Sequence, residues 1–141
     1  GMLHSSTNPA PETAKDANHI KMLMTRSKMK TTYDDDNIVM KMETPAGNSI
    51  EMSEKDKAIT IKDQHGNSMK MDQEGITVKS AKDIKMEATG SFSLKAGTDF
   101  TVEGLKVTQK ANTTMEISGQ ASAKVSGSGM LELSGGLVKI N

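Results

Sequence analysis

The residues of this chain that could ligate a metal ion are mainly three histidines among its 141 residues. His4, His19 and His65 lack the short spacing that places two imidazoles on one metal ion. They lie in the N-terminal segment, at its end, and in a turn that contains glycine. We interpret them as exposed loop residues, and we expect neither a metal site nor any cofactor.

A run of three carboxylates, Asp34 to Asp36, could suggest a cation site. A calcium-binding loop of the EF-hand type needs spaced carboxylates, a central glycine and a terminal glutamate, which this run lacks. We interpret it as a solvated turn whose charges also discourage pairing between sheet edges.

Paired carboxylates could also hydrolyse glycosidic bonds, but sugar-binding grooves usually carry aromatic side chains. The only aromatic residues are Tyr33, Phe92 and Phe100, and both phenylalanines occupy apolar positions of the pattern described next. We therefore expect no catalytic residue and no enzyme activity.

The elements that position all these residues follow from one short pattern, in which two apolar residues flank a polar one. Copies begin at residues 76, 84, 92 and 100, eight residues apart, and again at 107, 115, 123 and 131. The spacing of the apolar residues does not match the period of a helix. It matches the period of two of a strand, which places both apolar side chains on one face. Longer and less regular copies precede residue 75. The sequence thus predicts an all-β repeat array.

Turn residues separate the copies. Glycine recurs at residues 90, 97 and 104 and at 119, 127 and 135, with Asn112 between the two sets. We expect these residues to adopt the positive φ that a sharp corner can require.

One copy of the chain cannot cover this apolar face. Aromatic residues make up 2% of the chain, hydrophobic residues 34%, and the mean hydropathy is −0.52. Each repeat buries two or three side chains at about 1.5–3 kcal/mol each, against about 1–2 kcal/mol per ordered residue. The apolar face would be covered either if one chain coiled on itself as a solenoid or if three chains wrapped around one another. Successive repeats are interchangeable and show no three-repeat period, which favours a homotrimer.

The predicted fold is therefore a trimeric, intertwined triple-stranded β-helix, or β-prism, of eight-residue repeats. With strands stacked about 4.8 Å apart, a dozen levels make a rod of roughly 55–60 Å. We interpret the twelve methionines as flexible side chains that fill the narrow axis of this fold, rather than as metal ligands. Nine of them occupy apolar strand positions: Met22, Met24, Met40, Met42, Met52, Met69, Met71, Met86 and Met115. The predicted trimer core consists of Met40, Met42, Ile50, Met52, Ile59, Ile61, Met69, Met71, Ile76, Val78, Ile84, Met86, Phe92, Leu94, Phe100, Val102, Val107, Met115, Ile117, Val125, Leu131, Leu133, Val138 and Ile140.

The chain divides into three parts on this pattern. Residues 1–19 read as a tag remnant and a flexible linker, so we expect natural neighbours to precede the segment. Residues 20–75 form an irregular β collar, with strands expected at 20–24 and 28–33 and a turn at 34–37. Residues 76–141 form the regular shaft with a C-terminal tip.

Composition excludes several partners. Eighteen basic residues balance eighteen acidic ones, which argues against binding to nucleic acid. Cysteine is absent, and no stretch is apolar enough for a membrane helix.

The ordered series of turns resembles a known family. The runs Ile59 to Asn67, Met69 to Met71, Gly75 to Ser80 and Asp83 to Ala88 are similar to the C-terminal needle of VgrG spike proteins of type VI secretion. Cell-puncturing spikes of contractile phage tails share this plan. The resemblance covers residues 20–141.

That resemblance implies a membrane-puncturing spike in a contractile injection system. It implies a PAAR-repeat tip protein docked on Leu137, Val138, Lys139, Ile140 and Asn141. It also implies contact with the secretion tube or baseplate through preceding domains, and transient contact with a target membrane. The spike would be cytoplasmic in the assembled machine, or associated with a virion, and injected on firing. The alternative is a passive trimeric fibre or adhesin stalk with a receptor-binding tip.

Overall fold

The computed structural model describes residues 7, 9–10 and 16–140, so His4 and Asn141 lie outside the described residues. Between residues 16 and 140 the structure contains strands and turns but no helix, which confirms the predicted all-β class. No helix that could cross a membrane therefore occurs in the described part. The seven strands are β1 (Ile20–Met24), β2 (Lys30–Asp34), β3 (Val39–Glu43), β4 (Ser49–Ser53), β5 (Ala58–Lys62), β6 (Ser68–Asp72) and β7 (Gly75–Lys79).

The seven strands form one antiparallel sheet in the order β1-β2-β3-β4-β5-β6-β7, in which each strand pairs with the next along the chain. All the connections are short turns, so the register of each pair is set locally. The predicted second strand begins two residues late, at Lys30, because Lys28 has a left-handed φ of 66° in the preceding turn. Likewise β3 begins at Val39, since Ile38 has a φ of 52°.

The sheet is built on a repeat of 19 residues, which the count of short apolar copies did not reveal. Strands β1, β3 and β5 begin at residues 20, 39 and 58, and β2, β4 and β6 begin at 30, 49 and 68. Each repeat is therefore one hairpin plus the turn to the next.

Three turns at one end of the sheet have the same pattern of backbone hydrogen bonds. In the turn at residues 44–48, the N–H of Thr44 donates to the carbonyl of Asn48 at 2.9 Å, and that of Gly47 donates to Thr44 at 3.0 Å. The turns at 25–29 and 63–67 repeat both hydrogen bonds. The fourth residue of each turn has a positive φ, and it is glycine in two of the three turns: Lys28, Gly47 and Gly66.

An asparagine ends two of these turns and ties each to the next turn at the same end. The side-chain oxygen of Asn48 accepts the N–H of Gln64 at 3.1 Å, and that of Asn67 accepts the N–H of Ala81 at 3.0 Å. The equivalent place in the first turn is held by Met29. The donor that an asparagine at residue 29 would need is missing as well, because the residue at that place in the next turn is Pro45, which has no N–H.

Beyond Lys79 the described residues contain no paired strand. The chain instead runs in segments that contain no bend, which we call the straight segments, separated by sharp bends. Bends occur at residues 81–82, 89–90, 97–98, 105, 112–113, 120–121, 128–129 and 136, and therefore keep the predicted spacing of about eight residues. The chain divides into two compact units, residues 1–92 and 93–141, and the regular bends continue through the second.

The expected positive φ at the glycines of this region is wrong. Among the described glycines, positive φ occurs at Gly47, Gly66 and Gly75 and at none from residue 90 onward, and Asn112 has no positive φ either. A different constraint acts at Gly119, where a Cβ atom would overlap the carbonyl oxygen of Ser122. At Gly127 a Cβ would lie 2.6 Å from the carbonyl oxygen of Met130. Close backbone approach, rather than left-handed geometry, requires glycine at these two corners.

Candidate interaction surface

One face of the sheet carries two continuous rows of cross-strand partners. In β3 to β7 every residue of both rows is apolar, and all ten belong to the predicted core. The first row is Met40, Met52, Ile59, Met71 and Ile76, and the second is Met42, Ile50, Ile61, Met69 and Val78. Adjacent members lie close enough to pack against one another across the strands. The sheet therefore brings this part of the predicted core together on a single surface, which we call the apolar face.

The apolar face extends further than the sequence pattern indicated. Tyr33 pairs with Met40, Thr31 pairs with Met42, and Leu23 lies opposite Thr31. These three residues were missed because β2 has only one large apolar side chain. The 19-residue repeat was the available signal, since it aligns β2 with β4.

No hydrophobic side chain among the described residues is buried within one copy of the chain. Ser53, at 6% exposure, is the single buried residue of the described part. Met52 and Ile59, in the middle of the apolar face, each keep 39% of their surface exposed. The face is concave near one end, where Tyr33, Met40, Met52, Ile59 and Met71 help to line a hollow of about 790 Å³. One copy thus leaves its apolar surface open, as expected from the composition.

The opposite face is polar and carries ion pairs. The ammonium group of Lys30 lies 2.5 Å from one carboxylate oxygen of Glu43, and that of Lys41 lies 2.7 Å from the other. Hydrogen bonds from Lys30 and Lys41 lower the pKa of Glu43 to about 2. The hydrogen bond to Glu43 in turn raises the pKa of Lys41. These charges suit a face that stays in water.

Strand β1 breaks this division. Its register places Ile20, Met22 and Met24 on the polar face, opposite Asp34, Thr32 and Lys30. Our interpretation of Met22 and Met24 as axis fillers is therefore wrong for the described sheet. An apolar residue at every second position identifies a strand but does not tell which face it joins.

The turn residues considered as ligands have local structural partners. The carboxylate of Asp34 accepts the N–H groups of Asp36 and Asn37 at 3.1 and 3.2 Å and the side-chain amide of Asn37 at 2.8 Å. The hydrogen bonds from Asn37 lower the pKa of Asp34. His65 donates its backbone N–H to Asp63 at 2.8 Å. Across the described residues, no three metal-binding side chains gather into one site.

The remaining predicted core residues lie on the straight segments after residue 82. Ile84 and Met86 occupy one segment, two residues apart. The later core residues occupy the segments that follow. They are exposed in one copy; Ile117, for example, keeps 72% of its surface. Whether these side chains meet across a shared axis stays a prediction.

The predicted tip residues end the described chain. Leu137 and Ile140 are 87% and 86% exposed, and Val138 lies between them in sequence. Asn141, the last member of the set, is outside the described residues. An exposed apolar terminus of this kind can accept a partner, but its role as a docking platform stays a prediction.

The exposed apolar face, the straight segments without strand partners and the absence of any buried hydrophobic side chain among the described residues all point to a chain that assembles with other copies. No curated protein matches its sequence. The family model described as the phage baseplate V C-terminal trimerisation domain matches residues 37–141, which are 105 of the 141 residues. The chain therefore belongs to the family of phage baseplate V C-terminal trimerisation domains.

Proposed function

We propose that this chain forms the trimeric, membrane-puncturing needle of a contractile injection system of the VgrG type. The family supports a structural spike role in a phage-tail-like system, and it supports a homotrimer. The observation that carries the proposal is the continuous apolar face of β3 to β7, which no other part of the described chain covers.

Three copies supply what one copy lacks. When the apolar faces of three sheets meet, each covers the others, and the polar faces with their ion pairs remain in water. The straight segments after residue 82 have no strand partner within the described part of their own chain, so their backbone groups are available to strands of the other two. Hydrogen bonds between chains and a shared apolar axis then resist axial load.

The C-terminal end carries the tip in this proposal. Leu137, Val138 and Ile140 are exposed, and three copies of them present an apolar platform with unpaired backbone groups to a PAAR-repeat protein. The needle is cytoplasmic while the machine is assembled, and firing drives it through the target membrane. In this proposal the needle associates with the tube or baseplate of the machine, an association that its family supports.

The trimer is tested by multi-angle light scattering of the purified chain over a range of concentrations. A trimer has three times the 15.1 kDa of the chain, about 45 kDa. A folded, compact particle of 15.1 kDa that persists at high dilution overturns the proposal.

Tip docking is tested by retention of a PAAR-repeat protein on the immobilised chain. Removal of residues 131–141 should abolish retention while light scattering still reports a trimer. In the full chain, Ile140→Asp should weaken retention, and Lys124→Ala, which changes a polar residue outside the predicted tip, should leave it intact. Unchanged retention after the truncation refutes the docking assignment. Glycan binding on an array, without tip binding, favours the passive fibre instead.

A further inference from the structure

The straight segments after residue 82 have one exception to their apolar pattern. Each segment presents two alternating positions on the side of the predicted core, and the second position is apolar in seven segments of eight. The eight residues at this second position are Met86, Leu94, Val102, Gln109, Ile117, Val125, Leu133 and Ile140.

No bend interrupts residues 106–111, and side chains alternate along an extended segment, so the pattern places Gln109 on the same side as Val107. Thr108, between them, lies on the opposite side. The segment also follows an irregular corner. The step from residue 100 to residue 107 is seven residues rather than eight, and the bend is confined to Leu105, whose side chain is fully exposed.

We propose that Gln109 forms a polar layer on the threefold axis and fixes the register in which three copies of this chain assemble. The inference rests on the proposed trimer. Three copies bring three carboxamides to one level. Each carboxamide has two N–H donors and one acceptor oxygen, so a donor of each copy can bond the oxygen of the next and close a ring.

A register determinant is needed because the repeats are otherwise alike. If one copy slips by one repeat, apolar side chains still meet apolar side chains at nearly every level, although Phe92 and Phe100 then meet side chains of other sizes. Gln109 then meets Val102 or Ile117 of another copy, and its carboxamide has no partner in an apolar axis. An unpaired buried amide is strongly unfavourable, so the slipped arrangement is rejected. A single polar residue in the seam of a coiled coil selects the register in the same way, at a cost in stability.

The methionine methyl groups report the register directly. In a trimer with exact threefold symmetry, the three copies of each methionine are equivalent, so the twelve methionines give no more than twelve methyl signals. A slipped copy makes the three chains different and adds signals. The chain labelled with ¹³C-methyl methionine therefore distinguishes the two arrangements by nuclear magnetic resonance.

The test compares Gln109→Leu with the matched control Thr108→Val, which removes a polar group from the opposite side of the same segment. For Gln109→Leu we expect a trimer with a higher melting temperature and additional methionine signals. For Thr108→Val we expect a single set of signals and an unchanged melting temperature. A single set of signals from a trimeric Gln109→Leu variant overturns the proposal.

A second variant keeps the test decisive if Gln109→Leu fails to fold. Combining Gln109→Leu with Ile117→Gln moves the polar layer by one repeat and should restore a folded trimer with one set of signals. Failure of this double variant to do so also overturns the proposal. A wild-type chain that is not trimeric by light scattering contradicts the proposed function instead, and the two failures are thus distinguishable.

Discussion

At the scale of single residues, Glu43 is a charged side chain whose pKa is strongly shifted by its neighbours. It lies between two lysines of the polar face, and their hydrogen bonds lower its pKa from 4.5 to about 2. A carboxyl group whose pKa is lower in the folded state stabilises the fold at pH values above its unfolded pKa. This contribution is lost as the pH falls from about 4.5 through about 2.

We therefore predict that Glu43→Gln flattens the pH dependence of stability in this range. Wild-type chain should lose unfolding free energy between pH 4.5 and pH 2, and the variant should lose less, because it has no carboxylate to protonate there. Urea unfolding followed by circular dichroism measures both. Glu54→Gln, in an exposed turn, controls for the change in net charge. Parallel curves for wild type and Glu43→Gln contradict the prediction.

Glycine at two of the later corners is required by space. A Cβ at Gly119 would overlap the carbonyl oxygen of Ser122, whereas a Cβ at Gly97 meets no atom within 4 Å. We predict that Gly119→Ala destabilises the protein by about 1–3 kcal/mol, in the range of other overpacked sites. Gly97→Ala should have little effect. Thermal unfolding of the two variants side by side gives the comparison, and equal melting temperatures would show that the corner adapts.

At the scale of the elements, asparagines connect turns that are far apart in sequence. The side-chain oxygen of Asn67 accepts the hydroxyl of Ser80 and the N–H of Ala81, both at 3.0 Å. Its side-chain amide donates to Asp63 at 2.6 Å. Asn67 thus holds the segment that leaves β7 against the turn between β5 and β6.

We predict that Asn67→Ala releases this segment. Each lost hydrogen bond reduces stability by about 0.5–1.5 kcal/mol, and the amide of Ala81 loses its acceptor. Hydrogen exchange should therefore become faster at Ala81 while the amides in the middle of β4 keep their protection. Gln73→Ala, an exposed turn residue, serves as the control. Unchanged exchange at Ala81 would mean that other contacts hold the segment.

How far the sequence predicted these elements depends on how local their causes are. The strands from β3 to β7 and the face that their apolar residues share followed from alternation alone, as at Ile59 and Ile61. The face of β1 did not, because Met22 and Leu23 are both apolar and only the pairing with β2 separates them. The role of Gly119 also could not be predicted, since a carbonyl three residues away creates the constraint.

At the scale of the whole molecule, stability depends on surfaces that one copy leaves open. Every described hydrophobic side chain is at least partly exposed in a single chain. In the proposed trimer the side chains of the apolar face and of the predicted core positions become the shared core, so folding and assembly are one process. Stability must then depend on protein concentration.

We predict that a charge on the inner side of a straight segment prevents this assembly, whereas the same charge on the outer side does not. Ile117→Lys places an ammonium group at a predicted core position, and three copies bring three like charges to an axis where water cannot solvate them. Glu116→Lys, one residue away, adds the same side chain on the opposite side of the segment.

Light scattering and the concentration dependence of the melting temperature distinguish the two variants. Ile117→Lys should lose the mass of about 45 kDa, three times 15.1 kDa, and should unfold or aggregate. Glu116→Lys should keep that mass and a melting temperature that rises with protein concentration, because dilution favours dissociated, unfolded chains. If Ile117→Lys assembles as well as Glu116→Lys, residue 117 does not face other copies, and the shared apolar axis must be abandoned for this part of the chain.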